Sequence, residues 1–217
     1  MGYWAARGFG TLVRIVLEAA GVEYEEKRYQ LAEADKWFGE DKPALKEKFA
    51  LVNLPYVKFD DIIISEIDSC MRLIAQKWAP HLLGTNKHEI ANCEVYFSAL
   101  LKGFQKAKGP TMSPDTPSDE ERIELVENNA VVLTAINQQL AKHKFVAGEH
   151  VTIADVCLYE AIPFFNMIHE ETMKKYDNFD RFKADFEAVD WFAKYKASDR
   201  WLEGPCNPPN AGLNFGV

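Results

Sequence analysis

Two stretches hold the residues best suited to chemistry: the opening Met1-Gly-Tyr-Trp-Ala-Ala-Arg-Gly-Phe-Gly10 and the later Asn53-Leu-Pro-Tyr-Val57. Tyr3 brings a phenol, a hydrogen-bond donor that stays protonated near neutral pH. Pro55 brings an X-Pro bond, the kind of peptide bond that takes the cis form in about 5–6% of folded cases. Cys70, Cys93, Cys157 and Cys206 are far apart and form no Cys-x-x-Cys pair. That spacing argues against a zinc site or a disulfide framework and for buried thiols on helices. None of the five histidines stands in a His-Glu-x-x-His pattern, so no metal site is expected.

The elements that must position these groups come from 217 residues, enough for one large or two small domains. A net charge of −8 disfavours nucleic acid or an anionic membrane as the main partner. No apolar run approaches the length of a spanning helix, and the start lacks the basic-then-apolar order of a signal peptide. A cytoplasmic protein that binds no membrane is expected.

Phe9, Leu12, Val13, Val16 and Leu17 fall at helical spacing, with Gly21 as the C-cap. Val22 and Tyr24 alternate with Glu23 and Glu25, which predicts a strand. Residues 31–52 read as a loop with short helical turns. A strand is expected from Pro55 to Phe59, a turn at Asp60-Asp61 and a returning strand at Ile62-Ile63-Ile64. Helical spacing then returns over 67–78. The order βαβ-loop-ββα is that of a thioredoxin-like domain, followed by an all-helical domain. Residues 1–78 are assigned to the first, 79–87 to a linker and 88–217 to the second.

Asn86 with Glu89 predicts an N-cap and its capping partner. The helix after it carries Ile90, Cys93, Phe97, Leu100, Leu101 and Phe104 on one face. Pro110, Pro114 and Pro117 place 108–117 in a loop. Ser118 and Glu121 form a capping box that opens one long helix through Leu140. Thr152 and Asp155 form another, with Val151 and Val156 as its hydrophobic staple.

Taken together, Gly2-Tyr-Trp, Arg7-Gly, Asn53-Leu-Pro-Tyr, the Thr152–Asp155 box and the stretch Phe186 to Leu202 resemble the mu-like cytosolic glutathione transferases. The resemblance covers nearly the whole chain. It implies a homodimeric enzyme, with no cofactor, that joins the glutathione thiolate to small apolar electrophiles in detoxification. Tyr3 would hold the glutathione sulfur, and Pro55 would be cis, leaving the backbone of Asn53 and Leu54 to pair with the peptide. Trp4 and Phe9 would pack beside it; Trp37 with Lys42, or else Lys48, would hold the glycyl carboxylate. Glu66 would face the γ-glutamyl end. Phe97, Leu101, Phe104 and Phe215 would wall the electrophile pocket. The penultimate helix of the family would correspond to Phe186–Leu202.

The chain departs from the family in four places. Ile67 stands where the family has a serine whose hydroxyl holds the γ-glutamyl carboxylate, so Ile67→Ser is expected to tighten glutathione binding, and Ser65 and Ser69 are the next candidates for that role. The first strand begins only just before Tyr3. No acid matches the one that the family contributes across its dimer. Leu51 stands about where the family puts an aromatic that docks into the partner subunit. These departures keep a second reading open, a non-catalytic binding or structural protein on the same fold. A cysteine-based thiol transferase is disfavoured, since no Cys stands near Tyr3.

Overall fold

The computed structural model describes residues 1–214. Its first part is a four-stranded sheet in the order β2-β1-β3-β4. Strand β1 (Gly2–Trp4) runs parallel to β2 (Lys27–Tyr29) and antiparallel to β3 (Tyr56–Phe59), which pairs with β4 (Ile62–Ser65). Helix α1 (Gly10–Ala20) packs on α3 (Ile67–Trp78). Between β2 and β3 run a 3-10 turn (Leu31–Glu33), a π turn (Lys36–Asp41) and the short α2 (Lys42–Lys46). Gly21 ends α1 in the left-handed conformation, at φ 65°.

The strand expected from Val22 begins only at Lys27. The alternation is real, for Val22 and Tyr24 are half-buried while Glu23 and Glu25 are exposed. Alternation sets sidedness, however, whereas a ladder needs a partner. β1 offers three residues, paired from Gly2↔Lys27 to Trp4↔Tyr29.

The second part is helical: α4 (Lys87–Thr111), α5 (Asp119–Glu127), α6 (Ala130–Leu140), α7 (Ile153–Met173), α8 (Phe179–Glu187) and α9 (Asp190–Lys196). Helix α7 lies at its centre and contributes fourteen buried residues. It bends at His169, whose Nδ1 accepts the Thr172 amide and caps the final turn.

Several expected boundaries move, each for a local reason. Helix α4 continues through Pro110, because Thr111 donates to the Lys108 carbonyl and both residues are buried. Ile90 is exposed on α4 instead of facing the core. Asn86 caps α4 as expected, but Glu89 turns away to accept from the amides of Thr85 and Glu149. The long helix opened by the Ser118–Glu121 box breaks at Asn128-Asn129. There the Asn129 side-chain amide takes the Leu125 carbonyl, and its backbone N–H goes to Val126. The segment from Phe186 to Leu202 is likewise no single helix; it is interrupted where Val189 is extended.

One apolar core runs through both parts, and a smaller aromatic cluster of Tyr29, Trp37, Val52 and Tyr56 lies beside the sheet. Arg7 ties the parts together with two bonds to the buried carboxylate of Glu160, at 2.9 and 3.0 Å. Among the described residues, no helix is long and apolar enough to cross a membrane.

Candidate active site

The site is built on the turn that joins β1 to α1. Tyr3 ends up buried, and its hydroxyl accepts the Phe9 amide at 3.1 Å. Two glycines make room for it. A Cβ on Gly10 would lie 2.1 Å from the tyrosine ring, and one on Gly8 would lie 2.9 Å from the hydroxyl. Gly8 also has a φ of +39°, which suits a residue without a side chain. Burial pushes the Tyr3 pKa above its ordinary range, against the opposite pull of the Phe9 amide and Arg14. The phenol therefore stays protonated at neutral pH. With the Phe9 N–H feeding its oxygen, its own proton is free to be donated outward.

A second group of residues forms a rim where β3 begins, the strand that pairs with β1 at Gly2↔Tyr56. The Leu54–Pro55 bond is cis. The Ser65 hydroxyl accepts the Asn53 amide and donates to the Asn53 carbonyl, at 2.9 and 3.0 Å. Asn53 is thus pinned, and the hydroxyl of Ser65 is spent on it. No protein group among the described residues pairs with the N–H or C=O of half-buried Leu54. Lys42 reaches Asn53 Oδ1 at 3.2 Å and so stands at this rim. Lys48 lies exposed in the turn after α2. Trp37 lies behind Lys42, its ring 5.8 Å from the ammonium. It is 1% exposed, stacked on Tyr56 with ring centroids 5.8 Å apart.

Glu66 opens α3 at φ 67°, a conformation that costs a non-glycine residue on the order of 1–3 kcal/mol. It is exposed, with its side chain outside the helix. Ile67 follows as the first helical residue, and its side chain belongs to the main core. The anion-binding capacity here rests on the backbone amides of the first turn. Asp68 adds little negative charge, because Arg72 pairs with it at 3.2 Å and then with Glu94 at 3.1 Å.

On the helical side, Phe104 sets its ring 5.0 Å from that of Phe9 and 4.7 Å from that of Phe164. Phe97 is separate from this group, fully buried with the Arg72 guanidinium 4.8 Å over its ring. Leu101 is buried on the same helix as Phe104. Phe215 lies outside the described residues. The four cysteines are all buried. Burial pushes the Cys70 thiol up to about 12 and the Cys93 thiol up to about 11, which removes either as a nucleophile at neutral pH.

Residues 1–67 match the model of the glutathione S-transferase N-terminal domain, and residues 102–190 match that of the C-terminal domain. The chain belongs to the glutathione S-transferases. Its similarity to curated members of the family is end to end. Glutathione S-transferase Mu 1 of Rattus norvegicus is 26% identical over 209 residues, spanning 94% of this chain and 93% of the relative. The class-mu 26 kDa isozyme 51 of Fasciola hepatica is 27% identical over 210 residues, 95% of this chain and 92% of the relative. Among solved structures, the glutathione S-transferase Blo t 8 has the same fold, with a TM-score of 0.79 at 24% identity over 100% of this chain and 99% of that one.

The geometry of this transferase also shows residues that sequence reasoning passed over. Phe38 is 57% exposed, with its ring 5.9 Å from Trp4 and the Lys42 ammonium 5.8 Å away. The Lys42 ammonium thus lies 5.8 Å from both rings, the exposed Phe38 and the buried Trp37. Only the resemblance points to Trp37, in a stretch that reads as a loop with short helical turns, so no periodic pattern is at hand to point to Phe38.

Proposed function

We propose that this protein conjugates the thiolate of glutathione with small apolar electrophiles, and that Tyr3 donates the hydrogen bond that holds the thiolate. The observation that carries this reading is the Tyr3 hydroxyl, buried, protonated and supported from behind by the Phe9 amide. A free thiol has a pKa near 8.5 and is mostly protonated at neutral pH. A hydrogen bond to a charged group contributes about 1.5–3 kcal/mol, which lowers that pKa by roughly one to two units. Glutathione is thus a co-substrate, and the residues supply binding and charge stabilisation.

In this reading residues 1–78 form the glutathione-binding domain, 79–87 the linker and 88–217 the domain that walls the electrophile site. Leu54 pairs with the peptide backbone in the manner of an added strand. Lys42 and the rim aromatics Trp4 and Phe38 take the glycyl end. The first-turn amides of α3, with Glu66 beside them, take the γ-glutamyl end. Phe9 and Phe104 wall the electrophile. The end-to-end similarity to mu-class enzymes supports catalysis over the non-catalytic alternative.

The test combines a conjugation assay with a generic aryl halide and the Tyr3→Phe variant. Wild type should turn over and bind a glutathione column. Tyr3→Phe should bind glutathione about as well, yet lose roughly ten- to a hundredfold in turnover below pH 7, with its pH profile shifted upward by one to two units. An unchanged rate and profile would remove Tyr3 from the mechanism. A column-binding protein without turnover would favour the non-catalytic reading.

A further inference from the structure

Lys108 sits where lysines seldom do. It lies on α4 and is 6% exposed. Its ammonium donates to the Cys206 carbonyl oxygen at 2.8 Å and to Asn207 Oδ1 at 2.7 Å. It forms no ion pair among the described residues, and the Glu160 carboxylate, whose charge reaches it, is already held by Arg7. An ammonium has three protons. The third finds no oxygen among the described residues and is left to the rings of Phe9 and Phe164, each 5.3 Å from the nitrogen. A buried charge so poorly compensated is costly to keep.

The lysine also shares a wall with Tyr3. A Cβ on Gly8 would lie 2.9 Å from the Tyr3 hydroxyl and 3.4 Å from the Cys206 carbonyl oxygen, the one that Lys108 holds. Phe9, whose amide supports the Tyr3 hydroxyl, has its ring 5.0 Å from that of Phe104 and 5.3 Å from the Lys108 ammonium. Hydroxyl and ammonium therefore both lie against the Gly8-Phe9 segment, with the ring of Phe104 beside Phe9 and that of Phe164 beside both Phe104 and Lys108.

We propose that Lys108 is a specificity-determining residue of the electrophile site, one that selects apolar electrophiles whose reacting carbon is conjugated to a carbonyl oxygen. The proposal rests on the reading of Tyr3 as the donor to the thiolate. With an α,β-unsaturated carbonyl compound, the sulfur forms a bond to the β-carbon and the C=C π pair moves to make an enolate. The negative charge gathers on the carbonyl oxygen, where a fixed ammonium stabilises it in the transition state. The α-carbon then takes a proton from water, and the hydroxide left is neutralised by the proton that the thiol released on ionising. An iodoalkane places its developing charge on the departing iodide and offers no oxygen to the lysine.

Desolvation lowers the Lys108 pKa to about 8, with the Cys206 thiol and the Glu160 carboxylate acting in the other direction. These are the titratable groups facing it, from the tail and from α7. The ammonium is present below that pH and lost above it.

The experiment measures kcat/KM with glutathione for a 2-alkenal and a 1-iodoalkane of equal chain length, so that thiolate formation cancels in their ratio. In wild type the alkenal-to-iodoalkane ratio should fall between about pH 7 and pH 9.5 as the ammonium loses its proton. In Lys108→Met it should be about tenfold lower at pH 7 and flat with pH, with the glutathione KM unchanged. A role confined to anchoring the tail would lower both rates together, and an unchanged ratio in the variant would overturn the proposal. If Lys108→Met does not fold, the wild-type ratio decides alone, and a flat one overturns it. Wild type active on the iodoalkane only would sink this proposal by itself; activity on neither compound would sink the Tyr3 reading with it.

Discussion

Ile67 shows what residue type can and cannot convey. Its place at the start of a helix, where relatives offer a hydroxyl, is plain in the sequence. The direction of its side chain is equally readable, since Ile67, Cys70, Met71, Ile74 and Ala75 fall at i, i+3, i+4, i+7 and i+8 and all are buried, but the resemblance points to the missing hydroxyl instead. The side chain is 6% exposed and lies in the main core. Ile67→Ser should therefore destabilise the protein by about 2–4 kcal/mol through lost burial and a hydroxyl placed among apolar neighbours. Glutathione should bind no more tightly, which reverses the expectation drawn from the sequence. Denaturant unfolding and titration calorimetry on the two proteins would check both parts; tighter binding at unchanged stability would show that the hydroxyl reaches the ligand. Ser65 makes the same point, since its type suggested an anion ligand but both its bonds go to the Asn53 backbone. Tyr3, Leu54 and Lys42 came from the family resemblance; the structure buries Tyr3 against Gly8 and Gly10, puts Leu54 before a cis proline and sets Lys42 on Asn53, and their roles toward glutathione are proposals.

At the scale of elements, capping chemistry was the most readable signal. The Thr152–Asp155 box forms as its spacing predicts, and Asp155 does more than cap. Its carboxylate is fully buried and accepts from the Thr152 amide, the Thr152 hydroxyl and the Val146 amide, at 2.8, 2.9 and 2.7 Å. The last bond fastens the preceding loop to α7 and could not be seen in a local pattern. Asp155→Ala would strand two buried backbone donors, at about 1–3 kcal/mol each, so the loss should exceed the roughly 1 kcal/mol of a simple cap. Chemical denaturation should show about 2–5 kcal/mol, with the glutathione site intact while the protein is folded. A loss under about 1 kcal/mol would mean that the loop is held by other contacts. Of the elements that sequence reading misplaced, β2 depends on the length of its distant partner β1, whereas the α5–α6 break turns on the local bonds of Asn129 to the Leu125 and Val126 carbonyls, a competition that a capping pattern does not register.

Over the whole molecule, the exposed aliphatic side chains include Leu51 at 73%, Val95 at 65% and Val131 at 89%. We infer a homodimer in which Leu51 takes the docking place. A leucine buries less area than an aromatic, at roughly 25 cal/mol per Å², so the association should be correspondingly weaker. Light scattering at micromolar concentration should give about twice the 24.7 kDa chain mass, and Leu51→Asp should shift it to one. A wild-type monomer there would contradict the inference. The sequence revealed that the chain has two differently built parts; it did not reveal the buried Arg7–Glu160 pair that joins them, whose members are 153 positions apart. The burial of every sulfhydryl has a practical result. A thiol-reactive dye should leave the native protein unlabelled and gain four equivalents only as the fold opens. Labelling would then count unfolding events directly, and a lone cysteine placed at Val131 would be the single attachment point for a fluorophore.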